Sequence, residues 1–353
     1  MTEKNVNPRM LQRARESRGL TQGELAVCLG VTQGKVSKSE AGLLSVADEY
    51  LDDVVRVLAY PKEFFYQEDA PMGIGSGCLY YRKRQSTPIN VLRKINAIIG
   101  IRTMHIGKLL HGASIESESV FPQFDIDEFN GDAAVVARML RKAWKMPEGP
   151  VSNLVRVIEN AGGAICRFAF GTRKIDAISH WTAGSPPLFF LNAESPPDRT
   201  RFSLAHELAH IVMHSIPSAE MEKEADTFAA EFLMPAKSII SELKPLSIQR
   251  AAALKPYWKV SMAAIIKRAY DLGKISEPYY RKLFSTLSRL GYKTNEPHLF
   301  DDELPTVIDE IIRVHEKHHK YTTADFCKWL CLQEQEFKAI YKPSIAMRLK
   351  LVN

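Results

Sequence analysis

Two histidines one helical turn apart constrain this 353-residue chain more than any other feature of its sequence. Residues 206–210 read HELAH, and the flanking residues, in RFSLAHELAHIVM, are mainly apolar. This pattern predicts a buried helix on which His206 and His210 share one face, close enough to bind one ion. Glu207 lies beside them, where a carboxylate could accept a proton from water. The segment therefore predicts a core helix that carries a catalytic metal site.

The HExxH pattern is short, and the chain contains a second copy of it. Residues 315–319 read HEKHH, but charged residues surround them. No glutamate followed by an aspartate lies downstream at the spacing that a third ligand and its hydrogen-bond partner would need. We interpret this second copy as the solvated end of an amphipathic helix. Context therefore favours the first copy as the metal site.

A catalytic zinc ion needs three protein ligands and one open position, so a third ligand must follow His210. We predict Glu222, because the chain can turn at residues 215–218 and send a second helix back across the first. Asp226, one turn after Glu222, could accept a hydrogen bond from the free ring nitrogen of a ligand histidine. Glu224 points roughly opposite on an ideal helix, although an error of two residues in the helix boundary would exchange it with Glu222.

His214 follows His210 at the same interval as His210 follows His206. On a continuous helix, His206 and His214 would lie about 12 Å apart along the axis, too far to share one ion. We therefore expect a structural role for His214. The alternative for the whole motif, a core helix without metal, is disfavoured because burying three ionisable groups is costly unless they are paired or metal-bound.

These residues predict a zinc-dependent endopeptidase mechanism. With one zinc ion per chain on His206, His210 and Glu222, Glu207 would take the proton of the water that attacks a peptide carbonyl and pass it to the leaving amine. Manganese or iron could occupy the same donor set. His180 and Tyr81 are candidates for stabilising the oxyanion, and each also fits a structural role.

Composition places the chain among soluble, multidomain proteins. Hydrophobic residues make up 45% and charged residues 25%, and no apolar run is long enough to span a bilayer. The first residues, MTEKN, lack the apolar core of a signal peptide, so we expect a cytoplasmic protein without a membrane partner. Five scattered cysteines fit reduced thiols. The net charge of +6 modestly favours an anionic partner.

We predict a mostly α-helical chain with a small α+β part. The expected domains are a five-helix bundle at 1–67, a linker at 68–88, a helical connecting region at 89–148, a peptidase domain at 149–295 and a small helical region at 296–353. Short strands are predicted at 164–170, 177–182 and 187–191. A small sheet followed by a helix with two histidines is the zincin layout. Residues 189–192 are a candidate edge strand for binding a substrate peptide, and ordinary pairing as a core strand is the equal alternative.

The N-terminal segment predicts two short helices joined at a glycine, which form a helix-turn-helix. Residues 20–26 (LTQGELA) and 30–38 (GVTQGKVSK) resemble the XRE, or phage-repressor, family of DNA-binding domains. The resemblance implies binding of double-stranded operator DNA through the third helix, which enters the major groove. By position, Gln33 and Lys35 would face base edges, and Gln22, Ser37 and Lys38 would meet phosphates. A bundle that binds only protein is the alternative.

The second half resembles the ImmA/IrrE family of metallopeptidases over about residues 80 to 295. Its blocks occur in the family's order: 150–154 (PVSNL), 198–210 (DRTRFSLAHELAH), 222–230 (EKEADTFAA), 232–235 (FLMP) and 258–262 (WKVSM). The resemblance implies zinc and a protein substrate, a helix-turn-helix repressor that is cut or inactivated to release genes for mobile-element transfer or stress response. Many members of this family are fused to an XRE domain.

The sequence therefore predicts a DNA-binding regulatory zinc metallopeptidase that cleaves a specific protein, a repressor or a partner encoded nearby. One alternative is a transcription regulator of the XRE type, or an antitoxin-like protein, whose peptidase-like half senses a signal or mediates dimerisation without turnover. Another is a self-limiting repressor that cuts itself. A homodimer is left open.

Overall fold

The computed structural model of the chain describes residues 5–68, 87–113, 115, 117, 119–182, 184–214, 218–292 and 295–342. These residues are mostly helical and contain one small three-stranded mixed sheet, which confirms the predicted α-rich composition. The described elements are α1 (Pro8–Ser17), α2 (Gln22–Leu29), α3 (Gln33–Glu40), α4 (Asp48–Leu58), α5 (Ile89–Leu109), α6 (Ala133–Ala143), α7 (Leu154–Asn160), β1 (Ala164–Phe168), β2 (Ala177–His180), β3 (Leu188–Asn192), α8 (Pro197–Met213), α9 (Met221–Leu233), α10 (Ala236–Ile239), α11 (Ile248–Trp258), α12 (Met262–Asp271), α13 (Glu277–Arg289), α14 (Val307–His318), α15 (Thr323–Leu330) and α16 (Glu334–Tyr341), with 3-10 helices at Lys62–Tyr66, Ile126–Phe129 and Ile240–Leu243.

The described residues divide into two compact units. The described residues of the first unit lie within 5–68, 87–115 and 306–342, and those of the second lie within 117–305. The expected connecting region, 89–148, and the expected C-terminal region, 296–353, are each split between the two units, whereas most of the expected linker lies outside the described residues. No helix in the described part of the chain combines the length and the apolar character needed to cross a lipid bilayer.

Local capping determines where the first helices begin. The side chain of Asn7 accepts a hydrogen bond from the backbone at the start of α1, and Thr21 and Glu24 form a reciprocal capping box at the start of α2. Helix α2 ends at Gly30, whose φ of 65° lies in the left-handed region that glycine adopts without strain. Thr32 caps α3. Each of these caps acts on the first or last turn of its own helix, so the boundary is set by nearby residues.

The C-terminal helices α14, α15 and α16 belong to the first unit. The ring of His315, on α14, is buried, and its Nε2 donates a 2.7 Å hydrogen bond to the carbonyl oxygen of Leu109 at the end of α5. The rings of Tyr321, Phe326 and Trp329 surround it. The prediction that the second HExxH segment is solvated is therefore wrong for His315, because this residue continues the apolar face of α14.

The sheet of the second unit has the order β1-β3-β2. Strand β3 pairs in parallel with β1 and antiparallel with β2, so it is the central strand, and all five of its residues are buried. Of the two alternatives for residues 189–192, the edge strand is therefore wrong, and ordinary pairing as a core strand is what the structure shows. Among the described strands, β1 and β2 form the edges. Strand order depends on contacts between distant segments, which the local alternation of side chains does not encode.

Helices α8 and α9 pack together in the core of the second unit, and α9 also packs against α6. Four fully buried alanines, Ala205 and Ala209 on α8 and Ala225 and Ala229 on α9, belong to this core. Small side chains allow two helices to approach closely, so longer side chains that flank the contact can reach each other. This packing brings side chains from both helices to one site.

Buried ion pairs anchor the first turn of α8. The Nζ of Lys255 donates hydrogen bonds to Asp198 at 2.6 Å and to Glu296 at 2.8 Å. Arg201, one turn further along α8, pairs with Glu303, and both side chains are buried. Buried charges are tolerated when each has a partner in good geometry. The 295–305 segment, which supplies both glutamates, thus holds the helix that carries the two histidines.

Candidate metal centre

Side chains from α8 and α9 converge as the HExxH spacing predicts. The Nε2 atoms of His206 and His210 lie 3.0 Å apart. The Oε2 atom of Glu222 lies 3.7 Å from Nε2 of His206, and its Oε1 atom lies 3.5 Å from Nε2 of His210. Two imidazole nitrogens and one carboxylate thus face a common point at the crossing of the two helices.

This arrangement fits a divalent metal ion. Ligand atoms of a tetrahedral zinc ion lie about 3.3 Å from one another, because each is about 2.0–2.1 Å from the ion. The separations of 3.0, 3.5 and 3.7 Å lie on either side of that value, with a different oxygen of Glu222 nearest each histidine. Within the part of the chain that the structure describes, His206, His210 and Glu222 form the one group of three histidine, cysteine or acidic side chains whose ligand atoms all lie within 4.8 Å of one another. Three protein donors leave a further position for water or substrate.

Asp226 lies one turn after Glu222 and contacts the outer side of His206. Its Oδ1 atom is 2.8 Å from Nδ1 of the imidazole, which leaves Nε2 facing Glu222 and His210. Burial lowers the pKa of His206, but the hydrogen bond to Asp226 and the negative charge of Glu207 outweigh this effect, so the pKa is raised overall. The Asp226 contact is the one that helical periodicity predicts.

His214 and Glu224 also belong to the site. Helix α8 ends at Met213, and Nδ1 of the next residue, His214, lies 2.9 Å from Nδ1 of His210. Nε2 of His214 lies 3.0 Å from Oε2 of Glu224. Burial, together with the charges of the other two histidines, lowers the pKa of His214 to about 3, so this ring is neutral near pH 7.

The expectation that Glu224 points away from the site was wrong. Helix α9 begins only at Met221, so Glu224 lies in its first turn, where it faces the end of α8. The signal that could have found this contact is the repeated four-residue interval from His206 to His210 to His214, which places a third ring beside the second.

Glu207 is held by the edge strand β2. The residue is 3% exposed, and its Oε2 atom accepts hydrogen bonds from the backbone N–H of Ser179 at 2.8 Å and from the Ser179 hydroxyl at 2.6 Å. Two donors on one oxygen fix the direction of the carboxylate beside the histidines. Nothing local in the sequence identifies Ser179, because it precedes Glu207 by 28 residues and meets it only through the packing of β2 on α8.

The segment that contains this site matches a known protein family. The model of the Peptidase M78 family, described as the IrrE N-terminal-like domain, matches residues 158–270. This segment resembles a metallopeptidase domain. The match covers about a third of the chain and includes the three strands, α8, α9 and every residue of the candidate metal centre. No curated protein matches the chain.

The IrrE N-terminal-like segment also contains His180, one of the two residues considered for oxyanion stabilisation. His180 is the last residue of β2 and is buried, and burial lowers its pKa, which favours the neutral ring. Tyr81, the other candidate, lies outside the described residues.

The residues predicted to contact DNA lie outside the IrrE N-terminal-like segment, in the first unit. Gln33, Ser37 and Lys38 are exposed on α3. Lys35 is partly buried, with Nζ 4.5 Å from the centre of the Tyr50 ring. Gln22 donates a 2.9 Å hydrogen bond to the carboxylate of Glu40. Gln22 and Lys35 therefore interact within the unit, whereas the other three side chains face solvent.

Proposed function

We propose that this protein is a zinc-dependent endopeptidase that cleaves one regulatory protein and binds operator DNA through its N-terminal helices. One observation carries the proposal. His206, His210 and Glu222 converge at the crossing of α8 and α9, with Glu207 fixed beside them, within a segment that matches a metallopeptidase family. One ion per chain is proposed because the described residues contain one such three-residue site.

Different residues of the chain bind the metal, transfer the proton and position the catalytic carboxylate. A bound zinc ion supplies the Lewis acidity that makes water nucleophilic at neutral pH. His206 and His210 bind through Nε2, and their Nδ1 atoms face Asp226 and His214. Glu207 accepts the proton of the attacking water and delivers it to the amine that leaves when the peptide bond breaks. Ser179 keeps the Glu207 carboxylate aimed at that water.

The proposed substrate is a repressor of the helix-turn-helix type, as in the family that the sequence resembles. The test compares cells that express the wild-type chain with cells that express Glu207→Gln, by mass spectrometry of newly formed protein N-termini. We expect cleavage products that require Glu207, concentrated in one regulatory protein. Identical sets of N-termini in the two cultures would contradict the peptidase and favour a non-catalytic regulator.

The proposed DNA-binding role is supported by the exposed α3 face of Gln33, Ser37 and Lys38 and by the net charge of +6. Electrophoretic mobility shifts on the promoter of the protein's own gene test it. We expect specific binding that the double substitution Gln33→Ala with Lys38→Ala abolishes, with Lys174→Ala in the second unit as a control of equal charge. Unchanged binding by the double variant would refute these contacts.

A further inference from the structure

We propose that His214 and Glu224 form a buried hydrogen-bond relay that positions His210 for metal binding. The proposal rests on the proposed metal site at His206, His210 and Glu222. Neither residue of the relay is a ligand. Together they determine which ring nitrogen of His210 carries the proton and how the ring is oriented.

The distances allow one arrangement of protons when His210 binds a cation through Nε2. That nitrogen must then be bare, so the proton of the neutral ring is on Nδ1. This N–H points at Nδ1 of His214, 2.9 Å away, which must therefore accept. The proton of His214 is then on Nε2, and it is donated to Oε2 of Glu224 at 3.0 Å.

Burial makes this relay difficult to replace with water. The side chains of His210 and His214 are 3% and 2% exposed, and that of Glu224 is 16% exposed. Removing one member leaves a buried ring nitrogen without its partner, which costs more than the loss of an exposed hydrogen bond. The carboxylate at the end also makes the His214 ring a better acceptor, and this strengthens the bond to His210.

The two histidine ligands are thus supported in different ways. His206 contacts a carboxylate directly, and that residue, Asp226, has a side chain that is 66% exposed. His210 reaches its carboxylate through a neutral imidazole inside the protein. The second arrangement fills the space at the end of α8 and orients the ring without placing a charge next to it.

The test measures zinc affinity by competition with a chromophoric chelator. We expect Glu224→Ala and His214→Phe to bind zinc about 10- to 100-fold more weakly than the wild type. Glu224→Gln should lose less zinc affinity, because its amide oxygen can still accept a hydrogen bond from His214. The matched control is Glu220→Ala, which removes the same charge at the start of α9 from a side chain that is 65% exposed and paired with Lys223. The zinc affinity of this control should stay within about twofold of that of the wild type.

A second readout is the protonation pattern of the rings in the zinc-loaded protein, from proton–nitrogen NMR correlations of ¹⁵N-labelled histidine. The relay predicts a proton on Nδ1 of His210 and on Nε2 of His214. A proton on Nδ1 of His214 would overturn the relay, as would zinc binding by Glu224→Ala and Glu224→Gln that equals the wild type. If the wild-type protein binds no zinc, the metal centre itself is refuted and the relay with it.

Discussion

The hydroxyl of Ser179 donates a 2.6 Å hydrogen bond to the carboxylate of Glu207, and the backbone N–H of Ser179 donates a second one at 2.8 Å to the same oxygen. The edge strand of the sheet therefore sets the direction of the acidic side chain that lies between the two histidines in sequence. Because the carboxylate is buried, water cannot readily replace these donors. The small sheet thus has a function at the site besides its contribution to the core.

Removing the Ser179 hydroxyl should lower the rate of peptide cleavage without weakening metal binding. A hydrogen bond to a charged group contributes about 1.5–3 kcal/mol, so Ser179→Ala should reduce kcat/KM by about 10- to 100-fold. Zinc affinity should stay within about twofold, because Glu207 is not a ligand. Ser179→Thr keeps the hydroxyl and serves as the matched control. Full activity of the alanine variant would show that the backbone donor alone orients Glu207.

Glu303 should stabilise the second unit through its ion pair with Arg201 on α8. Its carboxylate accepts a 2.7 Å hydrogen bond from the backbone N–H of Leu154, at the start of α7, and it pairs with the buried guanidinium of Arg201. Glu303→Ala would leave that charge buried without this partner, which costs about 3–5 kcal/mol. Urea titration should detect this decrease in the free energy of unfolding. Asp301→Ala, an exposed position two residues earlier, should change the free energy of unfolding by less than about 0.5 kcal/mol; equal effects of the two substitutions would refute this role.

His105 should make the first unit less stable in acid. Burial, with the positive charges of Arg102 and Lys108, holds the pKa of this histidine well below its ordinary value, and Nδ1 contacts the hydroxyl of Tyr341 at 2.9 Å. The unfolded chain takes up the proton near pH 6.5, whereas the folded unit keeps the ring neutral. Below that pH the unfolded state binds one more proton, so the free energy of unfolding falls by about 1.4 kcal/mol for each pH unit, down to the folded pKa.

The measurement is the slope of the free energy of unfolding against pH, from urea titrations between pH 6 and pH 4.5. Replacing His105 with phenylalanine should make the slope shallower by about 1 kcal/mol for each pH unit. His318→Gln, at an exposed position on α14, is the matched control, because it removes a histidine from the surface of the same unit. A His105→Phe slope equal to that of the wild type would contradict the assignment.

Helical periodicity was enough to predict the core of the candidate site. His206, His210, Glu222 and Asp226 lie on two helices, and a four-residue interval fixes which side chains share a face whatever surrounds the helix. The starts of the helices were predictable for the same reason, since a capping residue such as Thr21 acts on its own first turn. Local rules are therefore enough to predict that these side chains face one another, and their role as metal ligands stays a prediction.

The remaining features depend on how distant segments meet. The central position of β3 comes from pairing with strands on both sides, and Ser179 meets Glu207 only because β2 packs against α8. The position of Glu224 depends on where α9 begins relative to the end of α8. Likewise, the burial of His315 requires α14 to pack against α5, although the two helices are far apart in sequence. Sequence patterns describe each element but not its neighbours.

The central claim is that His206, His210 and Glu222 bind one divalent ion on which Glu207 acts without being a ligand. The most direct test is the metal content of the purified protein after dialysis against zinc, measured by mass spectrometry for the wild type, Glu222→Ala and Glu207→Gln. We predict about one zinc ion per chain in the wild type and in Glu207→Gln, and a large loss in Glu222→Ala. Equal zinc content in Glu222→Ala and the wild type, or no zinc in the wild type, would contradict the claim.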